Sequence, residues 1–511
     1  MTIFSLISCI RKYSDMFPDK TAVIKDDDSI TYRNLYNKSV MFASGLKKIG
    51  VREQDRVTII MDNSIEFIVS VYGILAANAV FVPVQYDCAV DRMMYFLNDC
   101  KPSIVITNTA IYEKLMENLR ELDIKVILVD SADENTKVMS WNSVLKAGAS
   151  EEYTESFDPE KTAYIVYTSG STGMPKGVKI KNKSLLNFIE STIEEFDFDN
   201  DTIYLSVLSF CFDGAFGGLF CPIAIGGILV IYRRKLITPK KLVSCIVKNN
   251  VTFFGCTPEL FVVLIDELLR EKPDRIPLKI LSMGGDFIPK KYIRISFDVF
   301  PDIRLFNRYG PTEATSVVGS YEIMKNDTGN TLPIPIGHAV KNNEFYIYDS
   351  ENDTFAKNGS GELYITGVQL FEGYWNDKEL TKNSVVEWNG KELYRSGDYV
   401  CTDDNENLIM LGRNGSMIKR YGYRVFISEI EINILKTDMV KACACVETDD
   451  KKVVAFVTKK ESEFSELALR SQMLENVPKY IIPDKFIVVP ELIYTNHGKI
   501  DTNGMINKYY R

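Results

Sequence analysis

The sequence predicts an α/β protein: a large multi-subdomain N-terminal domain of parallel α/β sheets plus a small β-rich unit, then a small α+β C-terminal domain. Three observations carry this. At 511 residues the chain is too long for one core, since chains divide beyond about 250–300 residues. Short β-branched runs alternate with longer apolar helical runs, the rhythm of strand–helix–strand units on a parallel sheet. Near residue 334 the texture changes to short strands with Gly-rich turns, and past residue 416 to a strand followed by a helix.

Taken in order, residues 1–10 are briefly apolar, lack a preceding basic region and run into Arg11 and Lys12, so they read as a first helix and not as a signal. Residues 57–61 and 81–84 read as buried strands flanking an apolar helix at 65–77, while 103–107 and 125–129 flank another helix. The β-rich unit spans 334–402, with turns around 361–367 and 394–398. The segment G-R-N-G-S at 412–416 is a polar, Gly-containing break before a strand at 417–419 and a helix from Ser428. The main boundary is therefore placed between 1–413 and 414–511.

Composition narrows the function. With 46% hydrophobic and 25% charged residues the chain is globular. A net charge of −9 argues against a nucleic-acid partner, because phosphate backbones are bound by clustered Lys and Arg. No apolar run approaches the roughly 18–20 residues that cross a bilayer, so no membrane partner is expected. The 10 cysteines never stand at C-x-x-C spacing. Cys443 and Cys445 share one face of an expected strand, and reduced core thiols are the reading. Only His338 and His497 are present, which excludes a histidine-rich zinc site and argues against a Ser-His-Asp triad.

The chemistry begins at Y-T-S-G-S-T-G-M-P-K-G, residues 167–177, directly after an apolar strand-like run. Gly170 and Gly173 let the backbone turn its N–H groups inward, Thr168, Ser169, Ser171 and Thr172 add hydroxyls, and Lys176 adds charge. Together these suit a polyphosphate. The spacing is not G-x-x-x-x-G-K-[ST], so the ordinary P-loop fails on residue order. Asp213 lies in the apolar run L-S-F-C-F-D-G-A-F-G. A carboxylate there is a cap, a surface residue or the partner of a buried cation, because an unpaired buried charge is costly.

Residues 167–177 resemble the signature of the adenylate-forming superfamily of acyl-CoA synthetases, peptide-synthetase adenylation domains and luciferases. Further motifs of that superfamily follow in order over nearly the whole chain: I-T-Y-R-N-L at 30–35, 75–83 with Asn78 in place of a glycine, N-R-Y-G-P-T-E at 307–313, Y-R-S-G-D at 394–398, 412–422, and N-H-G-K at 496–499. The resemblance implies an ATP- and Mg²⁺-dependent ligase that activates a carboxylic acid as its acyl-adenylate, releases pyrophosphate and passes the acyl group to a thiol. It implies that Asn307, Tyr309 and Thr312 contact the nucleotide, that Glu313 ligates Mg²⁺, and that Asp398 and Arg413 hold the ribose. Lys499 would bridge the substrate carboxylate and the α-phosphate. The small domain would rotate about Gly415, which stands where the family often has aspartate, and bring the loop around Gly422 inward for the thiol step; Phe426 replaces a common glutamate.

In amino-acid-activating members the residue matching Asp213 holds the substrate ammonium, so an amino-acid substrate is expected. The matched side-chain pocket comprises Gly214, Gly217, Gly255, Leu281, Met283, Gly284, Arg308, Ser316 and Val317. Its glycines imply space for a large or polar side chain, and Arg308 is placed to meet an acidic or hydroxylated one or to swing to a phosphate or solvent. No carrier segment follows Arg511, so a phosphopantetheinylated carrier protein in trans, or coenzyme A, is the expected acceptor. The alternatives are an acyl- or aryl-CoA ligase, a ligase like those that load D-alanine on carrier proteins, and an inactive nucleotide-binding relative. The missing signal, free thiols and need for ATP imply a cytoplasmic location.

Overall fold

A computed structural model describes residues 3–132, 137–168, 174–232, 237–329, 333–350, 352–413, 417–420, 423–437, 439–448, 451–460, 465–494 and 500–510. The chain forms two compact units, one of residues 1–345 and 364–395, the other of 346–363 and 396–511. It is a mixed α/β protein with a large N-terminal and a small C-terminal domain.

The first unit holds two large sheets. One runs His338–Ala339, Gly319–Ile323, Arg304–Tyr309, Ile280–Gly284, Phe253–Cys256, Ile203–Ser206, Ile228–Ile231, Thr21–Lys25, Asp28–Thr31. The other runs Gly373–Tyr374, Lys176–Lys181, Thr162–Thr168, Val80–Pro83, Arg56–Ile60, Ile104–Thr107, Lys125–Leu128, Val138–Ser140. Both are parallel in the middle, as the strand–helix rhythm requires, and antiparallel at an edge. The expected helix at 65–77 is Ile65–Ala76, capped by Ser64. It ends two residues before Asn78, whose φ of 58° occupies the left-handed region that a glycine fills most easily. The expected first helix is Leu6–Met16, held by a Ser5–Ser8 capping box.

The second unit has a three-stranded sheet, Val440–Glu447, Val453–Lys459, Lys485–Val488, and a hairpin, Met417–Arg420 with Tyr423–Phe426. Helix Ile427–Leu435 follows the hairpin. Cys443 and Cys445 lie in its apolar core with Val453, Val457 and Phe486. The Phe426 ring stands 5.5 Å from that of Tyr399, an apolar contact that a glutamate does not make.

Candidate active site

Three clusters of the first unit carry the residues singled out in the sequence. The first joins strand Lys176–Lys181 to the turn at 310–314. Lys176 Nζ lies 3.2 Å from Glu313 Oε1 and donates to the Tyr374 hydroxyl at 2.7 Å. That hydroxyl donates to Glu313 Oε1 at 2.7 Å. The backbone N–H of Phe371 donates to the Glu313 carbonyl, so the segment carrying Tyr374 is tied to the turn twice. Burial and the Glu313 charge push the Tyr374 phenol up, so it stays a donor. Nothing in F-E-G-Y-W marked Tyr374 as a bridge between two charged site residues.

The second cluster is built on Asp213, the first residue of a short 3-10 helix Asp213–Ala215 that leads into helix Phe216–Ala224. Its carboxyl takes a hydrogen bond from Thr312 and from the backbone N–H groups of Gly214 and of Asp213 itself. The other oxygen, Oδ2, is buried and has no partner among the described residues. Burial, reinforced by the neighbouring Glu313 charge, pushes the acid up from 3.8 to about 6. Gly214 faces open space, with nothing within 4 Å of where a Cβ would stand. Of the three readings left open, the surface residue is excluded, and the orphaned oxygen fits a cation that the described residues do not supply.

The third cluster concerns the side-chain pocket, where two expectations change. Leu281 and Met283 are fully buried in the core with Leu205, Phe254 and Leu305. In register, Gly255 pairs with Ser282 and Arg308 with Gly284. Because side chains alternate along a strand, the face bearing Gly255 and Arg308 bears Ser282 and Gly284, not Leu281 and Met283. Gly217 and Gly255 do not leave empty space either. Cβ atoms there would come within 3.1 and 3.0 Å of the Tyr204 hydroxyl. At Gly284 a Cβ would meet the Arg308 carbonyl at 2.6 Å, so that glycine serves close strand approach.

Arg308 neither reaches solvent nor stands free. Its guanidinium pairs with Glu195 at 2.7 Å, donates to the Thr192 hydroxyl at 3.1 Å and lies over the Phe196 ring. Ser316 and the preceding Thr315 both have positive φ, 67° and 56°, uncommon for such residues. Gln369, fully buried, fixes this turn by donating to the carbonyls of Ala314 and Val317 and accepting from Asn187 and Asn343. Val317 is thus held by its backbone. The Asn307 amide is committed to the carbonyls of Ile334 and Pro335, and the Tyr309 ring packs edge-on against Phe345.

The Thr168 hydroxyl is buried without a partner among the described residues, at the end of strand Thr162–Thr168, which suits a phosphate oxygen. In the second unit Asp398 is fully buried and pairs with Arg413 Nε at 2.8 Å across neighbouring strands. The two expected ribose contacts are partners of each other. Ser169, Gly170, Ser171, Thr172, Gly173, Gly415, Gly422 and Lys499 lie outside the described residues.

The AMP-binding enzyme family matches residues 10–375, and the AMP-binding enzyme C-terminal domain matches residues 429–499. The chain belongs to the AMP-binding enzyme family. This AMP-binding enzyme is 30% identical over 499 residues to a mycosubtilin synthase of Bacillus subtilis, covering 96% of this chain and 18% of that protein. It thus spans less than a fifth of that relative's length. It is 27% identical over 518 residues to the D-alanine--D-alanyl carrier protein ligase of Bacillus licheniformis, covering 97% of this chain and 98% of the relative. Klebsiella oxytoca NpsA, solved in complex with 3-hydroxyanthranilyl-AMSN, shares the fold with a TM-score of 0.84 at 21% identity over 99% of both chains. The adenylate-forming family expected from the ordered motifs is the one found. No helix among the described residues is long and apolar enough to cross a membrane.

Proposed function

We propose that this AMP-binding enzyme uses ATP to activate an amino acid as its aminoacyl-adenylate and then passes the aminoacyl group to the phosphopantetheine thiol of a carrier protein supplied in trans. One observation carries the amino-acid part: the buried Asp213 carboxyl keeps an unpartnered oxygen beside the open space at Gly214. An α-ammonium group there supplies the missing charge and donor. The carrier acceptor is supported by the D-alanine--D-alanyl carrier protein ligase, which matches this chain over nearly its full length.

In this reading the substrate carboxylate is already a nucleophile at neutral pH, so catalysis is positioning and charge stabilisation. Thr168 and Lys176, with Ser169 to Gly173, hold the polyphosphate; Asp398 and Arg413 hold the ribose; Tyr309 packs on the base. Lys499 neutralises the charge that develops between carboxylate and α-phosphate. Glu313, a buried hard-oxygen ligand, fits Mg²⁺, which when bound neutralises polyphosphate charge. The Lys176–Glu313 contact then opens as both groups turn to the substrate. Rotation of a small domain of residues 414–511 about Gly415 separates the two half-reactions. Ten free cysteines suit a reducing cytoplasm.

The test is ATP–pyrophosphate exchange across the proteinogenic amino acids, D-alanine, β-alanine and a set of aryl and fatty acids. One or a few amino acids driving exchange, with loss of about a hundredfold or more in Lys499→Ala, is the expected result. Exchange driven only by aryl or fatty acids overturns the amino-acid reading in favour of a coenzyme A ligase.

A further inference from the structure

Tyr204 was not among the residues matched to the family pocket, yet it occupies the volume that two pocket glycines vacate. It stands on strand Ile203–Ser206, paired in register with Phe253 of strand Phe253–Cys256, so it projects from the face that bears Gly255. Its ring is clamped between Phe253, 4.5 Å away between centroids, and Gly218, where a Cβ would come within 3.0 Å of the ring. The hydroxyl ends between Gly217 and Gly255, within 3.1 and 3.0 Å of a Cβ built on either. Tyr204 is more than nine-tenths buried, and no described residue hydrogen-bonds to its hydroxyl. Glycine at 217 and 255 therefore makes room for this ring and not for a long substrate. Arg308, balanced by Glu195, leaves no free cation for an acidic side chain.

We propose that Tyr204 is a specificity-determining residue: its hydroxyl walls off the side-chain pocket between Gly217 and Gly255, so the enzyme takes amino acids with small side chains, of the size of alanine or serine. This rests on the amino-acid reading above. A side chain leaving the α-carbon beside Gly214 runs along helix Phe216–Ala224 toward Gly217 and meets the phenol there. The unpartnered hydroxyl offers a hydrogen bond to a short polar side chain and rejects a longer apolar one by overlap and by desolvation without a partner.

The experiment is the ratio of kcat/KM in pyrophosphate exchange along glycine, alanine, serine, valine, leucine and phenylalanine, for wild type, Tyr204→Phe and Tyr204→Ala, with thermal melting to confirm folding. The wild type is expected to prefer glycine, alanine or serine over leucine by at least about a hundredfold. Tyr204→Ala is expected to raise the leucine-to-alanine ratio by about tenfold or more, since one methylene in a pocket already changes discrimination by about tenfold. Tyr204→Phe keeps the wall and lowers only the serine-to-alanine ratio, and it carries the test if the alanine variant does not fold. A wild type that prefers leucine or phenylalanine, or folded variants with unaltered ratios, overturns the proposal. If acids without an amino group drive exchange instead, the amino-acid reading falls, and the same variants run on straight-chain acids of graded length decide whether Tyr204 is the wall.

Discussion

Asp213 and Asp398 are both carboxylates sunk into the protein, and they are finished to different degrees. Asp398 is fully buried, and Arg413 supplies its charge partner at 2.8 Å. Among the described residues Asp213 is given three neutral donors and no cation, keeps Oδ2 without a partner, and sits beside a second carboxylate, Glu313. A buried charge completed by the chain holds the fold together, whereas one left incomplete is held ready for something that arrives from outside. Mutating the first type of site costs stability, together with the ribose contact proposed for this pair; mutating the second costs activity and gains stability.

The largest effect sharpens that contrast at Asp213. Under the proposed function Asp213→Asn removes the ammonium's partner, and kcat/KM for the amino acid in exchange is expected to fall by about 2 to 5 kcal/mol, roughly thirtyfold to several thousandfold. Thermal melting at pH 8 moves the other way and rises, because the variant no longer buries an uncompensated charge. Next comes Arg413→Ala, which leaves Asp398 buried beside a vacated partner. It is expected to destabilise the protein by about 1 to 3 kcal/mol, read as a lowered denaturation midpoint, and to raise the KM for ATP through the proposed ribose contact, while the ratio of activities between amino acids is unchanged.

The pH dependence separates the two sites further. Burial raises the Asp213 acid from 3.8 to about 6. The free site therefore favours the protonated form: its contribution to stability is full below about 3.8 and is lost as pH rises through about 6. Substrate ammonium needs the carboxylate, so the apparent KM for the amino acid is expected to rise about tenfold per unit as pH falls below about 6, with no matching change in KM for ATP. A KM for the amino acid that stays flat from pH 8 to 5 contradicts the assignment. The smallest effect is at Tyr374. Tyr374→Phe removes a neutral bridge between Lys176 and Glu313, and, under the Mg²⁺ role proposed for Glu313, exchange is expected to slow about three- to tenfold, through the concentration of Mg²⁺ needed for half-maximal rate.

Much of this was legible in the sequence. The Ser/Thr/Gly-rich segment ending at Lys176, the Tyr-Gly-Pro-Thr-Glu turn and Asp213 are far apart in the chain, yet the fold brings Lys176, Glu313, Thr312 and Asp213 into contact. Each was recognisable because a charged or Gly-rich group interrupts an apolar context. The pocket was not legible to the same depth. Strand Ile280–Gly284 alternates, with Leu281 and Met283 buried and Ser282 and Gly284 half-buried, but the pocket positions were assigned by family resemblance and not from that alternation, and a slip of one residue exchanges the faces. Gly217 and Gly255 were read as space because a glycine's neighbour cannot be seen in sequence; Tyr204 lies on a different element from either. Tyr374 and Gln369 act through tertiary contacts to the turn at 312–317, and a neutral side chain in a loop gives no local sign of that.

The most direct measurement compares an amino acid with the same acid lacking its amino group, for example alanine with propionate, in pyrophosphate exchange by wild type and Asp213→Asn. The account predicts that the wild type favours alanine by at least about a hundredfold and that Asp213→Asn erases the preference by losing alanine. Propionate used as well as alanine, with no change in Asp213→Asn, would contradict the role given to the incomplete carboxylate.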